Sequence, residues 1–318
     1  MIIERVQVTS SPLCLSVIIP TYNRKESLRK ALEGYLRQTA GNRISEILIV
    51  DDGSTDGTAS TVSAYADRLP LRYLRQVNQG PAAARNKGIH EARGTVVLFT
   101  DDDIIPAPDL VAEHLTAHEQ NPDLFYAVLG YVTWSAEIEA TPFMKWYGEK
   151  GALFDFAEAR RRKQLDFRYF YTCNLSLKTV FLRKHGLFNP CFKSAAFEDT
   201  DLGYRLQRAG MRLFYAPSAV GYHDQQFDFE LACRRGQRVA AAKSVFMEFE
   251  AGAFMFRRDS TLPHQVAKWL GGLAVPFLIP LKPLLDSRIP LPSVLYRILY
   301  WHYTNRRQES NRSRAASL

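Results

Sequence analysis

The sequence predicts an α/β protein with a mostly parallel central sheet flanked by helices and a helical appendage at the C-terminal end. Three observations predict it. Apolar runs alternate with helical stripes from residue 14 to residue 100, the order that gives parallel strands joined by crossover helices. The runs are apolar nearly throughout instead of alternating with polar residues, as strands covered on both faces require. Four polar segments, "PTYNR", "DDGS", "NQGPAAARN" and "DDD", follow the strands, so all four lie at carboxyl ends, where open sheets bind ligands.

Taken in order, "CLSVIIPTYNR" (14–24) is a buried strand stopped by Pro20. Residues 25–39 carry apolar side chains at 28, 31, 32, 35 and 36, a helical stripe. "ISEILIV" (44–50) is a second strand ended by "DDGSTDGT", and "ASTVSAYADRL" a second helix. "LRYLRQ" (71–76) is a third strand, followed by a loop and a helix through Ala92. "GTVVLFT" is the fourth, ended by Asp101, Asp102 and Asp103. Further on, 124–134 reads as strand, 168–186 as strand then helix with Gly186 as its stop, 199–210 as a helix closed by Gly210, and 212–223 as strand. No internal repeat is visible. The expected division is a domain over 1–255 and a basic helical segment over 256–318.

Composition narrows the partners. The net charge is +8, and residues 257–318 hold ten Lys/Arg against three acids, so the last fifth carries nearly all the excess. Basic charge beside the uncharged stretch "WLGGLAVPFLIPL" (269–281) and the aromatic "VLYRILYWHY" suits an anionic membrane surface better than nucleic acid. That stretch, broken by Pro276 and Pro280, is shorter than the roughly twenty residues a spanning helix needs. Peripheral contact through 265–307 is one expectation, helices packing on the core the other. Four cysteines without C-x-x-C spacing, and no charged-then-apolar leader, fit a reduced, cytoplasmic chain at the inner face of the membrane.

The acids carry the chemistry. Three adjacent aspartates repel one another and need a positive partner. A divalent cation, Mg²⁺ or Mn²⁺, takes oxygen ligands and bridges carboxylates to a diphosphate; a solvated acidic turn is the plainer reading. In "VDDGSTDG" an acid at a strand end can accept from a base or ribose, while Ser54 or Asp56 can equally cap a helix. "NQGPAAARNKG" offers a helix start and Arg85, which suit a phosphate, and neither the dinucleotide nor the P-loop glycine pattern is present. Glu198 and Asp199 open a helix, where acids are also favoured by the dipole. As chemistry, a carboxylate there can take a proton from a hydroxyl. His223 after a strand is a candidate metal or phosphate contact. His114 and His118 have zinc spacing on a helix but lack the accompanying glutamate.

In this order the segments closely resemble family 2 glycosyltransferases of the GT-A fold, over roughly residues 14–240. The resemblance implies a nucleotide-diphosphate sugar donor, a divalent cation, and inverting transfer to an acceptor hydroxyl on a glycan, a lipid-linked molecule or another compound. It implies nucleotide contacts from Pro20, Thr21, Asn23, Asp52, Gly53 and Asn78, and Arg85 near the base or diphosphate. Asp101 and Asp102 would approach ribose and sugar, Asp103 would ligate the cation with Asp101 and His223 beside it, and Asp199 would be the base with Glu198 next to it. Arg234, Arg235 and Arg238 would lie on a mobile segment covering the diphosphate, and sugar contacts would come from 131–170, around the basic run Arg160–Lys163. The Q-x-x-R-W signature of processive synthases is absent, which favours single transfer. Two rivals remain: a phosphatase of the haloacid-dehalogenase type using Asp101-x-Asp103, for which Ile105 is atypical, and a non-catalytic sugar-nucleotide or membrane-docking module.

Overall fold

The computed structural model describes residues 12–193, 195–256 and 275–315, with side chains up to Thr304. Its centre is one eight-stranded sheet: β1 (Leu15–Thr21), β2 (Ile44–Asp51), β3 (Leu71–Arg75), β4 (Val96–Thr100), β5 (Ile104–Pro106), β6 (Tyr126–Trp134), β7 (Asn174–Lys178) and β8 (Arg212–His223). The spatial order is β3-β2-β1-β4-β7-β6-β8-β5. The first four strands pair in parallel, as their apolar runs predict. The second half is mixed: β7 runs antiparallel to β4 and β6, and β6 is parallel to β8. The strand–helix alternation stops near residue 107, and strand direction beyond it is set by pairing with distant strands.

Helices α1 (Lys25–Tyr35), α2 (Thr58–Ser63), α3 (Pro81–Glu91), α4 (Leu110–Gln120), α5 (Pro142–Glu149), α6 (Phe156–Ala159), α7 (Thr179–His185) and α8 (Glu198–Arg208) cover the sheet. One face packs β1 and β2 residues such as Val17 and Ile47 on Leu28 and Leu32 of α1; the other packs Ile18 and Leu48 with Ile89 of α3. Helix α2 is shorter than predicted. Past Ser63 its amides bond three residues back, Tyr65 N–H to Val62 and Ala66 N–H to Ser63, so the helix tightens into turns. The strand expected from 168 begins only at Asn174, after a single 3₁₀ turn at Phe167–Tyr169. The three-residue β5 has no sequence signal of its own, yet it sets the site: it pairs Ile104 with His223, bringing the end of β8 beside Asp103.

Further helices among the described residues are α9 (Phe229–Met247), α10 (Glu250–Met255) and α11 (Ser293–Ala315). Arg234, Arg235 and Arg238, expected on a segment that covers the diphosphate, lie in a 19-residue helix. Asp228 caps it through the Leu231 N–H at 2.6 Å. Tyr296 and Leu299 of α11 bury against Phe143, Trp146 and Tyr147 of α5 and Phe229 of α9. The two long helices meet at Gly236, where a Cβ would lie 2.4 Å from Thr304 and 2.5 Å from the Tyr300 hydroxyl. Of the two expectations for the appendage, its described part packs on the core. Trp269 and Lys268 lie outside the described residues. No described helix is long and apolar enough to cross a membrane.

Candidate active site

A cavity of about 600 Å³ opens where the carboxyl ends of β1, β2 and β4 meet the start of α8. Its wall includes Pro20, Thr21, Asp52, Asn78, Arg85, Asp101, Asp102, Asp103, Glu198, Asp199 and His223. Two of the expected nucleotide contacts are missing from it. Asn23 is turned away in a left-handed conformation (φ 52°), its N–H donating to Ser54 Oγ and its Oδ1 accepting from Thr55 N–H, each at 2.8 Å. Gly53 (φ 92°) makes the turn between Asp52 and Ser54. Both tie the loops together instead of facing the cavity.

Each acid is held by a specific donor. Asp52 accepts from Gln76 Nε2 at 2.7 Å and from the N–H groups of Gln79 and Gly80 at 2.9 and 2.8 Å, so its carboxylate fixes the loop that carries Asn78. Gly80 (φ 91°) allows the backbone of Lys193 to approach; a Cβ there would lie 2.5 Å from the Lys193 carbonyl oxygen. Arg85, buried on α3, bridges Asp101 Oδ1 at 2.8 Å and Glu198 Oε1 at 3.0 Å. Thr21 Oγ1 donates to Asp102 at 2.8 Å. Arg24 reaches Asp102 at 3.3 Å and Asp103 at 2.8 Å, and His223 Nε2 lies 3.3 Å from Asp103. The partners of the three aspartates are thus two arginines, a threonine hydroxyl and a histidine. Arg24 carried no signal beyond its place in "PTYNR" and becomes apparent only in the fold.

These contacts divide the carboxyl groups. Burial raises the Asp102 pKa. At Asp103 burial acts the same way, but the His223 and Arg24 charges outweigh it and hold the carboxylate ionised well below its usual range. Glu198 is pushed up by burial and by the neighbouring Asp199 charge, and Asp199 is raised chiefly by burial. Asp199 Oδ1 accepts from Thr200 N–H at 2.7 Å; among the described residues its Oδ2 accepts no hydrogen bond. Phe197, just before this pair, has φ 68°, a left-handed conformation that costs a bulky residue about 1–2 kcal/mol.

The expected metal set is brought together only in part. Asp103 and His223 converge, whereas Asp101 is drawn to Arg85, and no group of three or more potential ligands converges among the described residues. One carboxylate beside one imidazole would suit Mg²⁺ or Mn²⁺ if oxygen ligands from outside the chain filled the remaining positions. His114 and His118 form no zinc centre: their ring nitrogens meet Ser176 and Asn174. From the 131–170 stretch the cavity takes Gly151–Asp155 and Arg168, together with Tyr171–Cys173. The run Arg160–Lys163 lies elsewhere, with Arg160 bound to Glu149 over the Tyr131 ring.

Comparison with known proteins points the same way. Residues 16–183, more than half of the chain, match the model of "Glycosyl transferase family 2". An uncharacterized glycosyltransferase of Bacillus subtilis, YfnE, is 30% identical over 253 residues, covering 66% of this chain and 64% of its own. Validoxylamine A glucosyltransferase of Streptomyces hygroscopicus subsp. limoneus is 30% identical over 67% of this chain and 52% of its own length. The chain therefore spans about half to two thirds of these relatives. Among solved structures, the mannosyltransferase PcManGT from Pyrobaculum calidifontis with GDP-Man and Mn²⁺ aligns at TM-score 0.57 and 19% identity, over 91% of this chain and 88% of its own. S. aureus TarS 1-349 with UDP aligns at TM-score 0.51 and 18% identity, over 93% of this chain and 92% of its own. The α/β fold is that of GT-A transferases, and the haloacid-dehalogenase reading is set aside. The chain belongs to glycosyl transferase family 2.

Proposed function

We propose that this chain transfers a sugar from a nucleotide-diphosphate sugar to an acceptor hydroxyl, with inversion and with the help of a divalent cation, in the synthesis of a cell-surface or lipid-linked glycan. The observation that carries the reading is Asp199: a cavity-lining carboxylate with an uncommitted Oδ2, on the same wall system as Asp101–Asp103. Burial raises its pKa, which makes it a stronger base than an exposed aspartate. The acceptor oxygen loses its proton to Asp199 Oδ2 as it attacks the anomeric carbon, and the bond from that carbon to the diphosphate oxygen breaks on the opposite face. Asp103 and His223 would hold the cation, which supplies charge stabilisation to the leaving diphosphate. Arg85 holds Asp101 and Glu198 through its two terminal nitrogens, so its work is to fix these acids. Lys193 and Arg235 also line the cavity and form no ion pair among the described residues, which suits a polyanionic donor.

The test is incubation with UDP-glucose, UDP-GlcNAc and GDP-mannose, Mn²⁺ and a panel of simple glycoside acceptors, with the product anomer read by proton NMR. A product of opposite anomeric configuration to the donor supports the reading. Retained configuration, or binding of every donor without turnover, overturns it and favours a docking module.

Residues 275–304 support peripheral contact with an anionic membrane. Phe277 is 81% exposed, Val294 57% and Ile289 55%, with Trp301 at the edge of the same segment. The Arg288 side chain beside them is 83% exposed. Cosedimentation with phosphatidylglycerol vesicles should fall several-fold when Phe277 and Ile289 are both replaced by Glu. Equal cosedimentation by parent and variant would remove the membrane from the account.

A further inference from the structure

Phe197 joins the catalytic wall to the helices behind it. It is the residue before Glu198 and Asp199, and its left-handed backbone turns the chain so that both acids enter the cavity. Nothing in its own chemistry favours that conformation, since it lacks the short polar side chain that lets Asn23 adopt one. The force is supplied by packing. The Phe197 ring lies flat on Phe246 of α9, with centroids 4.4 Å apart and planes 4° from parallel. Phe256 meets Phe197 edge-on at 6.1 Å. Phe246 is fully buried among Phe167, Phe192, Tyr204 and Ala251, so the surface under Phe197 is rigid. Tyr204 of α8 also donates to Glu250 of α10 at 2.7 Å, locking the two helices together behind the acids. The same α9 presents Arg235 and Val239 to the cavity.

We infer that Phe246 is a positioning residue: through the stacked Phe197 ring it holds the strained turn that aims Asp199 at the acceptor. The inference rests on Asp199 as base but concerns the second-last residue of α9, which does not line the cavity. Strained backbone persists where the surroundings over-determine it, and small displacements of a catalytic group are costly.

The experiment pairs two variants. Phe246→Leu keeps an apolar side chain in the cluster but removes the flat face; Phe254→Leu removes a ring that packs on Phe167 and Tyr204 and leaves the stack in place. The readout is nucleoside diphosphate release from UDP-glucose, UDP-GlcNAc and GDP-mannose in Mn²⁺, with water as acceptor. Phe246→Leu should lose about 10- to 100-fold in kcat with donor KM within about twofold, while Phe254→Leu stays near the parent. Parental kcat in Phe246→Leu, or a loss matched by its unfolded fraction, overturns the inference. A crystal structure of Phe246→Leu tests it without substrate. Phe197 should leave positive φ; an unchanged φ with Asp199 in place overturns the inference. Asp199→Asn run alongside separates the failures: turnover by that variant sinks the base assignment, whereas a dead Asp199→Asn beside a parental Phe246→Leu sinks only the positioning role.

Discussion

Two buried polar clusters sit in this fold, and they differ in how completely they are used up. Behind β7, His114 and His118 of α4 are fully buried against Ser176 and Asn174. Every proton there can be assigned. Asn174 donates through Nδ2 to the Tyr131 and Ala219 carbonyls, so its Oδ1 must accept from His114 Nε2–H. His114 Nδ1 then accepts from the Ser176 hydroxyl, whose oxygen accepts from His118 Nε2–H. Both rings are neutral, and only His118 Nδ1 is left without a partner. In the cavity the acids are held by Arg24, Arg85 and His223, yet Asp199 Oδ2 stays uncommitted and the group opens to a ligand-sized space. Shifted acidities occur in both clusters. What marks the site is unspent hydrogen-bonding capacity beside a cavity.

The largest effect expected from breaking the comparison is chemical. Asp199→Asn should lower kcat about 10³-fold, near 4 kcal/mol, while a donor-induced rise in Tm survives. His114→Gln, in the closed cluster, should leave the turnover of folded protein at the parental value. Equal losses in the two variants would erase the distinction.

Next comes opposite pH linkage. Burial lowers the His114 pKa to about 4. The unfolded chain therefore takes up a proton first, so this contribution is whole above about pH 6.5 and is lost as pH falls toward 4, on the order of 3 kcal/mol. Glu198 is shifted upward, so the folded state keeps a proton that the unfolded chain gives up. Its contribution is whole below about pH 4.5 and is lost as pH rises through the elevated folded value. Urea denaturation from pH 4 to 8 should show His114→Gln flattening the acid limb and Glu198→Gln flattening the neutral one. Parallel changes would contradict the assignment.

The smallest effect concerns Arg24, which holds the carboxylate that the cation would need. Arg24→Gln should tighten Mn²⁺ binding to nucleotide-free protein about 10-fold, near 1.4 kcal/mol, in calorimetric titration. Unchanged or weaker binding would show that Arg24 does not compete.

Much of this was legible in the sequence, and the limits are physical. Continuous apolar runs report a two-sided strand, so β1 to β4 and the loops at their ends could be read directly. Asp52, Arg85, Asp101–Asp103, Asp199 and His223 do meet at one cavity. Residues 107–211 hid their pairing, because strand direction is set by distant partners such as β4 and β7. The turn of Asp101 toward Arg85, the competition of Arg24 for Asp103, and the Phe197–Phe246 stack depend on contacts between residues tens of positions apart, which leave no periodic trace. The service of Asn174 and Ser176 to two histidines, and of Asn174 to the bulge beside Gly130, emerges only from the packing of α4 on β7 and the pairing of β6 with β8.

The central claim is that Asp101–Asp103 and His223 form the seat of a cation-borne nucleotide sugar. It is tested most directly by thermal shift of parent and Asp103→Ala with UDP-, GDP- and dTDP-sugars, each in Mn²⁺, Mg²⁺ and EDTA. The account predicts that one nucleotide raises Tm by mass action in the presence of metal, that EDTA removes the rise, and that Asp103→Ala never shows it. A rise that persists in EDTA or in Asp103→Ala, or no rise with any donor, would contradict the account.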